Sequence, residues 1–217
     1  MADFNSIVEK TFKFEGGFQQ FPNDTANYCG GKLIGTNHGI SAVAYGQYLG
    51  RCPSVDEVKA ITKDIAKNVY KKLFWDFIQG DIIKDQSLAH IVFDSHIASG
   101  GNGIIRSKKA INSVSPVFTK TDSSKFTVEQ VNKINTLNSK QLFDKVKEGE
   151  IANRKYLAES NPSKYGMFLK GWLNRLDNIV YSGAEFTKKN IIPISISIIA
   201  LGTIIYLIVA NKQQIIS

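Results

Sequence analysis

The chain has 217 residues and a formal net charge of +8, with 27 Lys+Arg against 19 Asp+Glu. At about 150 residues per domain this is enough chain for one to two domains. An apolar content of 43%, two cysteines and a single long uncharged run exclude a disordered chain, a disulfide-dense miniprotein and a polytopic membrane protein.

In chain order, Met1 to Phe14 carries neither a basic n-region nor an apolar h-region, so no secretory signal is expected. Phe4, Ile7, Val8 and Phe12 fall at helical spacing after Asp3, a capping residue, and Gly16-Gly17 stop that helix. Residues 18–52 are rich in Gly, Asn, Tyr and Gln and read as loop with a short hairpin. Cys29 and Cys52 flank the Gly-rich part; an oxidising compartment gives one disulfide, a reducing one two free thiols. Ser54-Val-Asp-Glu57 is a capping box. Val58, Ile61, Ile65, Val69, Leu73 and Phe77 then predict one long helix ending before Gly80.

A second helix is predicted over Gln86–Ser99, with Leu88, Ile91, Val92 and Phe93 inward and Gly100-Gly101 as its stop, and a third over Ile104–Val114. Residues 115–126 are rich in Ser and Thr, contain Pro116, and read as a linker. Thr127-Val-Glu-Gln130 is another capping box, and Asn161-Pro162-Ser163 breaks the later helices before Tyr165–Val180.

From Asn190 to Asn211 no residue is charged, and within Ile191–Ala210 15 of 20 residues are apolar. As a helix this run spans about 33 Å, close to a bilayer's hydrocarbon core. It predicts a C-terminal transmembrane anchor through residues 191–210, flanked by Lys188, Lys189 and Lys212, on a tail-anchored chain. The lysines weakly favour a cytoplasmic body.

The three histidines, His38, His90 and His96, form no HExxH spacing and there is no CxxC, so no metal site is expected. No P-loop, dinucleotide fingerprint, nucleophile elbow or nucleic-acid module is present, so neither a cofactor nor nucleic acid is expected. The carboxylates are more informative. Glu15 ends the first amphipathic helix between Phe14 and Gly16-Gly17-Phe18. The negative end of the helix and apolar neighbours both push its pKa up, as a general acid at neutral pH requires. Asp24 lies nine residues on, in a polar loop where a carboxylate stays ionised. One protonated and one ionised carboxyl is the arrangement of glycoside hydrolysis. The spacing alone also fits a surface glutamate near a helix end.

Phe14-Glu15-Gly16-Gly17-Phe18, Pro22-Asn23-Asp24, Gly30-Gly31 and Thr36-Asn37-His38-Gly39-Ile40 stand in this order. They are followed by Tyr70, Phe74-Trp75-Asp76, Gly80-Asp81, Phe93-Asp94 and Ser99-Gly100. The series resembles the N-acetylmuramidases of glycoside hydrolase family 108, found in phage and bacterial endolysins. Arg154-Lys-Tyr156-Leu157 and Phe168 to Arg175 resemble the predicted peptidoglycan-binding region that follows this catalytic domain. The chain departs from the pattern by extra residues between Asp24 and Thr36, by His38, and by Ala98 before Ser99-Gly100.

The resemblance implies a mainly α, lysozyme-like fold with a small hairpin region near the active site. Together with the composition it gives a muramidase domain over 1–115, a linker over 116–126 and a helical peptidoglycan-binding-like region over 127–187; the anchor with a short tail over 188–217, read from the uncharged run, is not part of the usual family pattern. The implied activity is cleavage of the β-1,4 bond between N-acetylmuramic acid and N-acetylglucosamine in peptidoglycan. Glu15 is then the general acid, while Asp24 and Thr36 position the attacking water. Asn37, Tyr45 and Tyr48 are expected to contact the sugar. Trp75 and Phe93 read as core, and Asp76, Asp94 and Arg175 as structural polar contacts. Two rivals stay open: a lytic transglycosylase on the same bond, and an inactive wall-binding structural protein. The expected location is a phage virion membrane, for entry, or the host inner membrane, for lysis.

Overall fold

The computed structural model describes residues 1–13 and 15–183. Phe14, the residues after Gly183 and hence the anchor expected over 188–217 lie outside the described residues. Among the described residues, no helix is long and apolar enough to cross a membrane.

The mainly helical expectation holds. Helix α1 spans Phe4–Phe12, and Asp3 caps it by accepting from the N–H groups of Asn5 and Ser6. Its apolar stripe is buried at Phe4, Ile7, Val8 and Phe12. Two short antiparallel hairpins follow: β1 (Tyr28–Cys29) with β2 (Lys32–Leu33), and β3 (Thr36–Asn37) with β4 (Ile40–Ser41). Gln19 pairs with Thr36 and ties the chain after α1 to the second hairpin. Helix α2 spans Ala42–Leu49 and ends at Gly50 in the left-handed conformation. A Cys29–Cys52 disulfide, Cα–Cα 5.6 Å, joins β1 to the segment beyond α2.

The single long helix predicted after Pro53 is broken into two. The capping box forms, but α3 covers only Val55–Lys59. Helix α4 (Lys63–Tyr70) starts afresh, with Thr62 accepting from the Ile65 N–H. The break has a physical cause. The Asn37 amide donates to the carbonyls of Val58, Lys59 and Ile61, satisfying acceptors that a continuous helix would have used itself. Beyond α4 the helix widens into a π turn at Lys71–Trp75 and then tightens into 3-10 turns at Asp76–Ile78 and Gly80–Ile82.

Helix α5 runs Gln86–Asn112 and joins the predicted second and third helices across a kink at Gly100 (φ 50°, ψ −131°). That conformation is open to glycine and strained for other residues. The turn brings Gly103 against Ser95 so closely that a Cβ there would collide with the Ser95 carbonyl. The first half of α5 is buried on every face, so it forms the spine of the fold. Trp75 and Phe93 are fully buried, with ring centroids 5.5 Å apart, as core residues should be.

Residues 116–126 are not the open linker that their Ser/Thr content predicts. Phe118 and Phe126 are buried, and the Phe126 N–H donates to the Phe77 carbonyl. Buried Lys108 reaches both rings and donates to Asp122 and Ser124. Helices α6 (Val128–Ile134), α7 (Ser139–Ser160), α8 (Pro162–Tyr165) and α9 (Leu169–Asp177) complete the described fold, and the second capping box forms at α6 as predicted. One apolar cluster extends from Phe4 through Trp75 and Phe93 to Val146, Leu176 and Ile179. The 127–183 segment therefore shares its core with the first hundred residues.

Candidate active site

Helix α1 stops at its Lys13 cap, and the Glu15 N–H still donates to the Phe12 carbonyl. This short extension turns the Glu15 side chain inward, where it is 3% exposed. Three elements meet it. Arg175 on α9 donates from Nη1 to Glu15 Oε1 at 3.3 Å. The same guanidinium donates from Nε to Asp94 Oδ1 on α5 at 2.7 Å. The third element is the turn between β3 and β4, where Gly39 has φ 74°. A Cβ at position 39 would stand 2.5 Å from Glu15 Oε2 and collide with the Tyr70 hydroxyl. Tyr70 also donates to the His38 carbonyl at 3.5 Å.

The electrostatics follow from burial. Desolvation is the largest influence on Glu15 and raises its pKa; the charge and hydrogen bond of Arg175 oppose it, and Asp94 adds a smaller upward push. Tyr70 is raised well above the phenol range by burial and then by Glu15, so it stays neutral. His90, on the α5 face near Asp94, is lowered by burial to about 4 and is neutral at working pH. Glu15 is thus a carboxyl biased toward its protonated form, as a general acid requires. Of the two phenylalanines expected to desolvate it, Phe14 lies outside the described residues. Phe18 is only partly buried and sits beneath Lys59 Nζ.

Asp24 is expected on a polar loop where a carboxylate stays ionised; the structure places it in a buried position. It caps a 3-10 turn at Thr25–Asn27 by accepting from the Ala26 N–H, and is pushed by burial to about 6. At neutral pH it is still mostly ionised. Thr36 donates from Oγ1 to Asn27 Oδ1 at 2.6 Å, and the Asn27 N–H donates to the Asp24 carbonyl. Asn27 therefore links Asp24 to Thr36, and the second hairpin links Thr36 to the Gly39 turn beside Glu15. The extra residues between Asp24 and Thr36 form the first hairpin.

The remaining predicted contacts are placed differently from the catalytic candidates. Asn37 is buried and its amide nitrogen is committed to the end of α3. Tyr45 and Tyr48 stack on one another on α2, 6.2 Å between centroids. Tyr45 is buried, and Tyr48 lies partly buried under Lys72.

Sequence reasoning missed Arg175, Asp94, Tyr70 and Gly39 as site residues. Each stood inside a recognised segment, but nothing in its spacing brings position 175 to position 15. Among the described residues no group of His, Cys, Asp or Glu could hold a metal ion. A groove of about 580 Å³, lined by Met1, Asp3, Lys84, Gln86 and Gly183 among others, lies at the starts of α1 and α5, away from these groups.

Gly39→Ala is expected to reduce turnover at least a hundredfold, because the methyl group displaces the Glu15 carboxyl and the Tyr70 hydroxyl. The left-handed φ adds about 1 kcal/mol of strain. A rate assay beside a thermal melt checks this: a small loss of stability with a large loss of rate is the expected pair.

Residues 8–100 match the family model described as Glycosyl hydrolase 108. The matched segment holds Glu15, Asp24, Thr36, Gly39, Tyr70 and Asp94, but not Arg175. Eight solved chains match, among them SagA from Brucella abortus, with 24% identity and a TM-score of 0.64 over 81% of this chain and 90% of that one. At that identity the likeness is one of fold. No curated protein matches the chain.

Proposed function

We propose, proceeding from the glycosyl hydrolase 108 match over residues 8–100, that this chain is a peptidoglycan hydrolase of lysozyme-like fold, an N-acetylmuramidase. On this reading it cuts the β-1,4 bond between N-acetylmuramic acid and N-acetylglucosamine. The observation that carries the proposal is Glu15, a buried carboxyl with a raised pKa beside a glycine turn that approaches its Oε2 too closely to admit a side chain.

The chemistry can be assigned atom by atom. Glu15 gives its proton to the glycosidic oxygen as the bond to the anomeric carbon lengthens. The Thr36 hydroxyl has spent its hydrogen on Asn27, so its oxygen can accept a hydrogen bond from a water. Ionised Asp24 takes the water's other proton as its oxygen attacks the anomeric carbon. Activity then needs Asp24 deprotonated and Glu15 protonated. The acid side of the pH–rate profile should fall near pH 6, and the alkaline side should report Glu15.

One observation favours a second reading. Asp24 already has a structural task at the 3-10 turn, which suits a lytic transglycosylase that needs only Glu15. Mass spectrometry of wall fragments released by the purified chain separates the two. Muramic acid at the reducing end supports the hydrolase; a 1,6-anhydro end supports the transglycosylase; intact wall overturns both and leaves a wall-binding protein. Residues 191–210 extend the proposal to an enzyme held at a bilayer, in a phage virion or the host inner membrane. Release of the chain from membranes by an alkaline wash would contradict that extension.

A further inference from the structure

Arg175 lies 160 positions from Glu15 in sequence and beyond the matched 8–100 segment, yet its guanidinium is 3.3 Å from the Glu15 carboxyl. Both partners are nearly enclosed, at 11% and 3% side-chain exposure. Asp94, 5% exposed, holds the same guanidinium from the other side at 2.7 Å. Bringing three charged groups out of water is costly, and a core of this size could have been closed with apolar side chains at lower cost. The arrangement also treats the two carboxyl oxygens of Glu15 differently. Oε1 faces Arg175, whereas Oε2 faces the Gly39 turn, where the missing side chain lets the backbone approach it closely.

We propose that Arg175, braced by Asp94, is the positioning residue of the acid catalyst. It fixes the Glu15 carboxyl through Oε1 so that the proton for transfer sits on Oε2, and it makes α9 part of the catalytic centre. This rests on the glycosidase reading of Glu15 and adds a role for the C-terminal helices that wall binding alone would not give them. Two opposed influences result. The Arg175 charge favours ionised Glu15, and the Asp94 charge favours the protonated form, both directly and by compensating Arg175. The other groups acting on this cluster are Tyr70 on α4, His90 on α5 and the Arg154 guanidinium on α7, with Lys10 on α1 acting on His90. Tyr70 and His90 are neutral at working pH and Arg154 is paired with Glu150, so the balance is set mainly by the Arg175–Asp94 pair.

The test uses the full-length chain and two readouts. The first is the pH profile of kcat/KM on purified wall. The second is the titration of the Glu15 carboxyl carbon followed by NMR, assigned with Glu15→Gln. Arg175→Met should move the alkaline side, and the Glu15 titration, up by about one pH unit. Asp94→Asn should move both down. Arg175→Lys should restore the titration toward the parent value while kcat stays at least tenfold low, because an ammonium cannot hold Oε1 and Asp94 in one plane. General loss of packing would not shift the two variants in opposite directions. Shifts of the same sign, or none, overturn the inference. If Arg175→Met fails to fold, Asp94→Asn and Arg175→Lys decide. If the parent chain does not cut wall, the glycosidase reading fails, and the NMR titration still decides whether Arg175 governs Glu15.

Discussion

Glu15→Gln is expected to lower wall cleavage about a thousandfold or more while making the folded chain more stable at neutral pH. The rate loss follows from the amide's lack of a transferable proton. The stability gain follows from linkage. Burial raises the Glu15 pKa in the folded chain above its ordinary value. Between those two values the unfolded chain has released the proton and the folded chain retains it. Stability therefore falls as pH rises through that interval, and the loss persists above it. Glutamine does not ionise and avoids the loss. Melting curves of the two proteins should coincide near pH 4, where both side chains are neutral, and separate as pH rises. A variant that still cleared wall would remove Glu15 from the mechanism. A variant equally destabilised at pH 4 and pH 7 would show that Gln disturbs packing rather than ionisation.

The same residue shows what the sequence made legible. Its place after α1, before two glycines, was readable from the stripe of Phe4, Ile7, Val8 and Phe12. The two capping boxes, the Gly100 interruption and the Asn161-Pro162 break are local signals, and each came out where its chemistry placed it. The failures share one cause, which is that distant contacts override local pattern. The periodicity from Val58 to Phe77 looked unbroken because the Asn37 amide that ends α3 comes from a hairpin about 20 residues earlier. The burial of Asp24 was not legible in its polar loop, because that loop folds back on itself through Asn27. Arg175 read as a structural contact because no spacing rule links it to Glu15. The Trp75–Asp81 segment, part of the resemblance, acts as a clamp. Trp75 Nε1 donates to Asp81, Lys71 pairs with Asp81 and Asp76, and a Cβ at Gly80 would strike the Trp75 ring. Such a segment identifies a fold more directly than it identifies a reaction.

Glu150→Ala is expected to cost about 3–5 kcal/mol, a large share of the roughly 5–15 kcal/mol that holds a domain folded. Glu150 is 1% exposed on α7 and accepts from four groups. Arg106 donates to it from Nε and Nη2, at 2.7 and 3.1 Å. Arg154 donates from Nη2 at 3.2 Å and Ser95 from Oγ at 2.7 Å. Ser95 and Arg106 lie on opposite sides of the Gly100 kink, so one carboxylate fastens both halves of α5 to α7. Alanine would leave Arg154 buried at 3% exposure without its counter-charge and would open the kink. Because α7 leads through α8 to α9, which carries Arg175, the damage should reach Glu15 as well. Glu150→Gln keeps an acceptor for Ser95 but loses the charge, and should fall between the parent and alanine. Thermal unfolding should show a drop of about 10 °C for alanine. If alanine costs under 1 kcal/mol, the two arginines find water instead, and the α5–α7 contact is held by its apolar residues alone. If activity falls in proportion to the folded fraction and no further, α7 supports the fold without steering Arg175. A loss of rate beyond that fraction would mean that the kink, the buried carboxylate and the catalytic carboxyl belong to one connected polar framework.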